Sequence, residues 1–190
     1  LACAVAGIIV GIVGLTGLGL KFSSLMLSLS QGNLFLALIL LLLASLVLGM
    51  GLPVTASYVV LIVLAGPVLI NDFGLPVLIA HLLVFWYSQD SNVTPPVCLA
   101  AYAAAGVAGS DPMRTGLQAW KYAKGLYLIP LLMVVHPELA LGGEWPVVLG
   151  KAVMSMVALA AFAAALEGWL VSRLTWVGRI LLIAGAATAF

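Results

Sequence analysis

Oxygen-bearing side chains suited to a small hard cation gather in two short stretches of this sequence. The first, Gly49-Met-Gly51-Leu-Pro53-Val-Thr55-Ala-Ser57, is small, polar and uncharged. The second, Ser88-Gln-Asp90-Ser91-Asn92-Val-Thr94-Pro95-Pro96, adds two amides, further hydroxyls and one carboxylate. Glycine and proline at the first stretch, and the Pro95-Pro96 pair at the second, interrupt a helix and release main-chain carbonyls from its hydrogen-bond ladder. Released carbonyls, with the oxygens of Thr55, Ser57, Ser91, Asn92 and Thr94, are donors of the kind used by cation sites at broken membrane helices. Asp90 is the only carboxylate near either break, and an acid at membrane depth is a functional candidate by default. The plainer readings are a tight loop at the first stretch and a helix kink without a site at the second. Residue types alone leave these open.

Enzymatic constellations are missing from the sequence. It has no His-Glu-x-x-His, no Gly-x-Ser-x-Gly, no Walker-type phosphate loop and no clustered cysteines. His81 and His136 stand far apart without partners at ligand spacing, and read as packing or interface histidines. Cys3 and Cys98 lie in apolar surroundings, where cysteine behaves as a small hydrophobe. Glu167 beside Trp169 reads as a solvated helix end, and Asp111 as the cap of a helix opened by Pro112. Neither an enzyme nor a resident cofactor is expected.

The elements that must position the two breaks are membrane helices. Hydrophobic residues make up 65% of the chain and charged ones 7%, with a mean hydropathy of +1.29. Soluble domains average about 45–50% apolar and about 25% charged, so no soluble fold accommodates this composition. There is no basic stripe for nucleic acid. The chain opens inside an apolar run at Leu1 and closes inside another at Phe190. The expectation is a single membrane domain over 1–190, cut from the C-terminal part of a longer protein.

A span needs about 20 apolar residues, and shorter runs suggest broken or re-entrant segments. Residues 1–20 are apolar but rich in glycine, and a more polar stretch from Lys21 to Asn33 follows. Two arms, Leu34 to Leu48 and Val54 to Ile70, flank the first break; they are expected to form a re-entrant hairpin over 34–70. Val77 to Tyr87 and Val97 to Gly109 are each too short to span, and read as one discontinuous helix over 77–109. Thr94 would cap its second half, with Pro95 at the first helical position. Scaffold-type helices fill 112–190, including an amphipathic start at Met113 to Lys121 and a span over Val147 to Val171. Arg114, Lys121 and Lys124 share a side with Arg173 and Arg179, which the positive-inside rule makes cytoplasmic.

The two central motifs, Gly49-Met-Gly-Leu-Pro-Val-Thr-Ala-Ser-Tyr58 and Asn92-Val-Thr-Pro-Pro-Val-Cys-Leu-Ala-Ala-Tyr-Ala-Ala-Ala-Gly-Val-Ala-Gly109, resemble the large permease subunit of TRAP transporters. The nearest likeness is to the fused permease of the TAXI branch, with further agreement at Thr16 to Ser23 and Ala165 to Trp169. The resemblance implies an all-α integral membrane protein of the elevator type, with a re-entrant hairpin and a discontinuous helix. It would be a multi-pass symport permease of the cell inner membrane, driven by sodium rather than ATP. It would import a small organic anion delivered by an extracytoplasmic solute-binding protein, together with the earlier part of the permease. Carried over, Gly49, Gly51 and Thr55 at the hairpin tip would hold one sodium with Ser91, Asn92, Thr94 and Pro95 at the helix break. Ser57 and Asp90 would face the substrate. The chain departs from the commoner branch at Leu52-Pro53 and at Ser88-Gln-Asp90-Ser91. An ion channel, or a structural subunit of a membrane complex, is the alternative reading.

Overall fold

A computed structural model describes residues 2–50, 52–140, 142–170 and 172–187. The described residues are helical apart from short connections, with no β-strand beyond an isolated bridge between Trp169 and Arg173. The all-α expectation holds. Two compact units divide the chain, Leu1–Ala123 and Lys124–Phe190.

The first unit begins with α1 (Ala2–Thr16) and α2 (Leu18–Ser30). Between them Gly17 adopts a left-handed φ of 63°, a conformation that glycine enters at little cost, and the helices bend by 70°. The polar stretch from Lys21 is therefore helical. Its hydroxyls fold back onto their own turn, Ser24 Oγ donating to the Lys21 carbonyl and Ser28 Oγ to that of Leu25. That pattern satisfies serine inside an apolar helix.

Asn33 caps α3 (Leu34–Gly49), its side-chain oxygen accepting from the Leu36 N–H. After a short turn come α4 (Val54–Pro67) and a π-helical continuation, Val68–Asp72. Together these form a 19-residue segment, Val54–Asp72, with mean hydropathy 2.0. It is long and apolar enough to cross a bilayer, where the sequence suggested a shorter arm. α5 (Val77–Asp90) packs against both α3 and α4, burying Leu38 and Leu41 from α3, Leu61 and Leu64 from α4, and Ile79, Leu83 and Val84. α6 (Leu99–Ala108) and α7 (Pro112–Tyr122) close the unit. Asp111 caps α7, accepting from the Arg114 N–H at 2.8 Å, with Pro112 in the first turn as expected.

The second unit holds α8 (Gly125–Val135), a 3₁₀ turn at Pro137–Ala140, α9 (Trp145–Glu167) and α10 (Trp176–Ala187). α9 is 23 residues long with mean hydropathy 2.0, the second helix of spanning length among the described residues. It begins two residues before the expected span and stops at Gly168, whose left-handed φ of 72° ends the helix. Leu132, Ala158 and Ala186 form its core.

Candidate functional site

The turn after α3 is built from uncharged residues. The Met50 N–H donates to the Val47 carbonyl and the Leu52 N–H to that of Leu48, so α3 winds down gradually. Pro53 is extended (φ −58°, ψ 150°) and occupies the N-cap of α4, where a missing N–H costs nothing. Its carbonyl accepts from the Ser57 N–H at 2.9 Å. Thr55 is exposed on α4 while Ser57 is fully buried, and the Ser57 hydroxyl has no hydrogen-bond partner. Gly51 lies outside the described residues.

Two helices flank the second break, with edges other than those expected. α5 runs through Ser88 and ends at Asp90, and α6 begins at Leu99 rather than at Pro95. The Val93 and Thr94 N–H groups both donate to the Asp90 carbonyl, which closes the last turn. Pro95 and Pro96 then have no N–H to offer, so the ladder cannot continue. Cys98, at φ 40°, fills the N-cap position of α6 in place of Thr94. The Thr94 carbonyl instead accepts from the Cys98 N–H at 3.3 Å, and the Asn92 carbonyl from that of Ala100 at 3.2 Å. The unwound segment is clamped from both sides. Tyr102 Oη donates to the Pro96 carbonyl at 2.9 Å, and Gly116 of α7 lies so close that a β-carbon there would sit 3.2 Å from Cys98 Sγ.

The two breaks meet. A β-carbon placed on Gly49 would collide with Cβ and Oγ of Ser91, so only glycine lets the end of α3 reach the break. Ser91 and Thr94 are buried around this contact, and Asn92 and Pro95 are half-buried. Asp90 is fully buried, and neither of its carboxylate oxygens has a hydrogen-bond partner. A buried charge without a partner costs several kcal/mol, on the order of the penalty for an ion in a dry interior. A proton on the carboxyl removes that cost, and so does a cation bound beside it. Among the described residues no three His, Cys, Asp or Glu side chains gather for a metal. A cation would therefore rely on Asp90 with carbonyl and hydroxyl oxygens.

Sequence reasoning missed two groups here. Tyr58, the last residue of the first motif, places Oη 2.7 Å from His81 Nδ1 and sets its ring edge-on to Phe85. His81 is thus a packing histidine with a specific partner, joining α4 to α5. The i to i+4 spacing of His81 and Phe85 was the available signal. Trp86 is the second, its buried indole nitrogen lacking a partner.

Comparison with known proteins gives one family. Residues 1–139 match the family described as "Tripartite ATP-independent periplasmic transporter, DctM component". No curated protein and no solved structure gives a significant match.

Proposed function

This chain belongs to the DctM component family of tripartite ATP-independent periplasmic transporters, and from that premise we propose that it carries a sodium site of an importer for organic anions. The family is one of membrane permeases, not of enzymes. A tripartite system implies partner components, and a periplasmic one implies a protein that delivers solute from outside the inner membrane. Placement in the TAXI branch rests on the motifs at Gly49–Tyr58 and Asn92–Gly109.

The observation that supports sodium coupling is the contact of Gly49 with Ser91 beside the unpartnered Asp90 carboxylate. Two breaks from separate segments meet at helix ends lined by main-chain carbonyl and hydroxyl oxygens, the kind of arrangement that transporters use for a coupling ion. Asp90 suits this ion better than it suits the substrate. An anionic substrate would be repelled by the carboxylate, whereas a cation neutralises it. In this reading Gly49, Ser91, Asn92, Thr94 and Pro95 form the cation shell with Asp90, and Thr55 stands outside it because it is exposed. Ser57 keeps the substrate-facing role.

The test is solute uptake by the complete permease in proteoliposomes, with its binding protein present and an imposed sodium gradient. Uptake that follows the sodium gradient and persists without ATP is expected. Equal uptake when choline replaces sodium on both sides would refute the proposal.

A further inference from the structure

Trp86 and Asp90 stand one turn apart on α5, at the i and i+4 positions whose side chains share a helix face. At about 100° per residue, His81 and Phe85 fall together on the face that meets Tyr58, and Trp86 and Asp90 fall roughly 140° away from it. Both residues of this second face carry buried polar atoms without partners: Trp86 Nε1 and the two carboxylate oxygens of Asp90. An indole N–H can only donate, and an ionised carboxylate can only accept. The two are complementary and stand one helical turn apart, and neither has a hydrogen-bond partner. A third group that accepts from the indole and offers positive charge to the carboxylate would satisfy both.

We infer that Trp86 and Asp90 form a composite site for a carboxylate and its cation, the indole N–H donating to a carboxylate oxygen and Asp90 facing the cation. This rests on the sodium reading above and extends it to the substrate. A carboxylate alone would meet the Asp90 charge, and a cation alone would leave the indole unsatisfied. Bound together, each lowers the cost of the other, and such coupling is reciprocal by linkage. It makes substrate binding depend on sodium within one helical turn, and it selects for an acid over its ester or amide.

The experiment uses the complete permease in detergent with ¹⁵N-labelled indoles, and formate as the smallest carboxylate probe. The Trp86 resonance is identified by its loss in Trp86→Phe. If that variant does not fold, 3-benzothienylalanine at position 86 replaces the N–H by sulfur in the same shape and serves the same purpose. Sodium formate should move the Trp86 indole proton downfield, and sodium chloride or methyl formate should not. Replacing sodium by choline should weaken the formate half-saturation roughly fivefold or more, the lower range of ordinary coupling between sites. An indole proton that stays in place throughout a formate titration in sodium overturns the site. Formate binding indifferent to sodium overturns the pairing if uptake by the same permease requires sodium. If uptake is equally indifferent, the sodium reading fails while Trp86 stands as the carboxylate donor.

Discussion

Among the described residues, the two unbent helices of spanning length differ in what surrounds them. Of the most apolar 18 residues of Val54–Asp72, 39% are buried inside the protein, against 17% for Trp145–Glu167. Buried polar side chains divide the same way. Ser30, Ser45, Ser57, Ser88, Asp90, Ser91 and Thr94 belong to the first unit, and among the described residues Ser155 alone belongs to the second. A helix that faces lipid needs only an apolar surface and an intact hydrogen-bond ladder. Short helices packed on one another enclose their own surroundings, and there a polar group can be held away from both lipid and water. The difference agrees with the proposed reading, in which binding chemistry belongs to the first unit and the second has the character of a scaffold.

The largest effect that separates the units comes from glycine. In the first, Gly49→Ala should push the end of α3 off Ser91, costing about 1–3 kcal/mol of packing. The displacement should lower uptake on the order of 100-fold, the usual penalty when binding groups move by about an ångström. Adding Ser91→Gly should restore much of the packing, since it removes the atoms that collide. In the second unit, Gly168→Ala meets a strained φ and the guanidinium of Arg179, costing about 1–2 kcal/mol. It should leave the sodium dependence unchanged. Uptake at matched membrane abundance and melting in detergent measure both. Normal uptake in Gly49→Ala would break the comparison.

A smaller contrast comes from the acids. Asp90→Asn keeps the shape and removes the charge, so the sodium half-saturation should rise about tenfold or more, the equivalent of 1.4 kcal/mol or more. Melting should not fall, because the lost charge had no protein partner to stabilise it. Glu167→Gln, at an exposed acid of the second unit, should leave the half-saturation where it was. Superimposable sodium curves for wild type and Asp90→Asn would remove the carboxylate from the cation site.

Much of this arrangement was legible in the sequence. Composition gave the membrane class, Pro95-Pro96 gave the break in the second helix, and Asp111-Pro112 gave a cap that the structure reproduces. The edges of the break were not legible. Thr94 and Pro95 have the residue types of a cap and a first helical position, but a left-handed Cys98 takes the cap, four residues on. Propensity ranks cysteine poorly there, and the packing of Gly116 and Tyr102 around the segment outweighs it. The bend at Gly17 was hidden for the opposite reason, since five glycines lie within residues 1–20 and nothing local singles out one of them. The meeting of Gly49 with Ser91 is a tertiary contact, which no periodicity could announce.

The Tyr58–His81 link sharpens the comparison through stability. Tyr58→Phe removes the hydroxyl from a 2.7 Å hydrogen bond and keeps the ring against Phe85. The expected loss is about 1 kcal/mol of unfolding free energy. His81→Leu should cost a similar amount, and the double variant should cost clearly less than the sum, as for two residues that share one bond. Additive losses, read from melting in detergent, would show that the pair contributes nothing jointly.

The smallest and cleanest contrast applies one substitution to both units. Ser57 and Ser155 are each buried in an apolar helix, and the hydroxyl of each lacks a hydrogen-bond partner. Removing it as Ser→Ala deletes an unsatisfied polar atom without altering the backbone, and alanine is the better helix former by a few tenths of a kcal/mol. On stability alone both variants should therefore equal or slightly exceed the wild type. Function should divide them. Ser155 sits in α9 of the scaffold-like unit, so Ser155→Ala should leave the uptake curves for sodium and solute unmoved. Ser57 sits one turn beyond Pro53, and if its hydroxyl waits for a ligand then Ser57→Ala loses a hydrogen bond worth about 1 kcal/mol. That loss corresponds to roughly a fivefold rise in the solute half-saturation, at unchanged melting temperature. Uptake against solute concentration at saturating sodium, for both variants at matched abundance, gives the answer. Two unmoved curves would mean that an orphaned serine is merely tolerated in either unit, and Ser57 would leave the site.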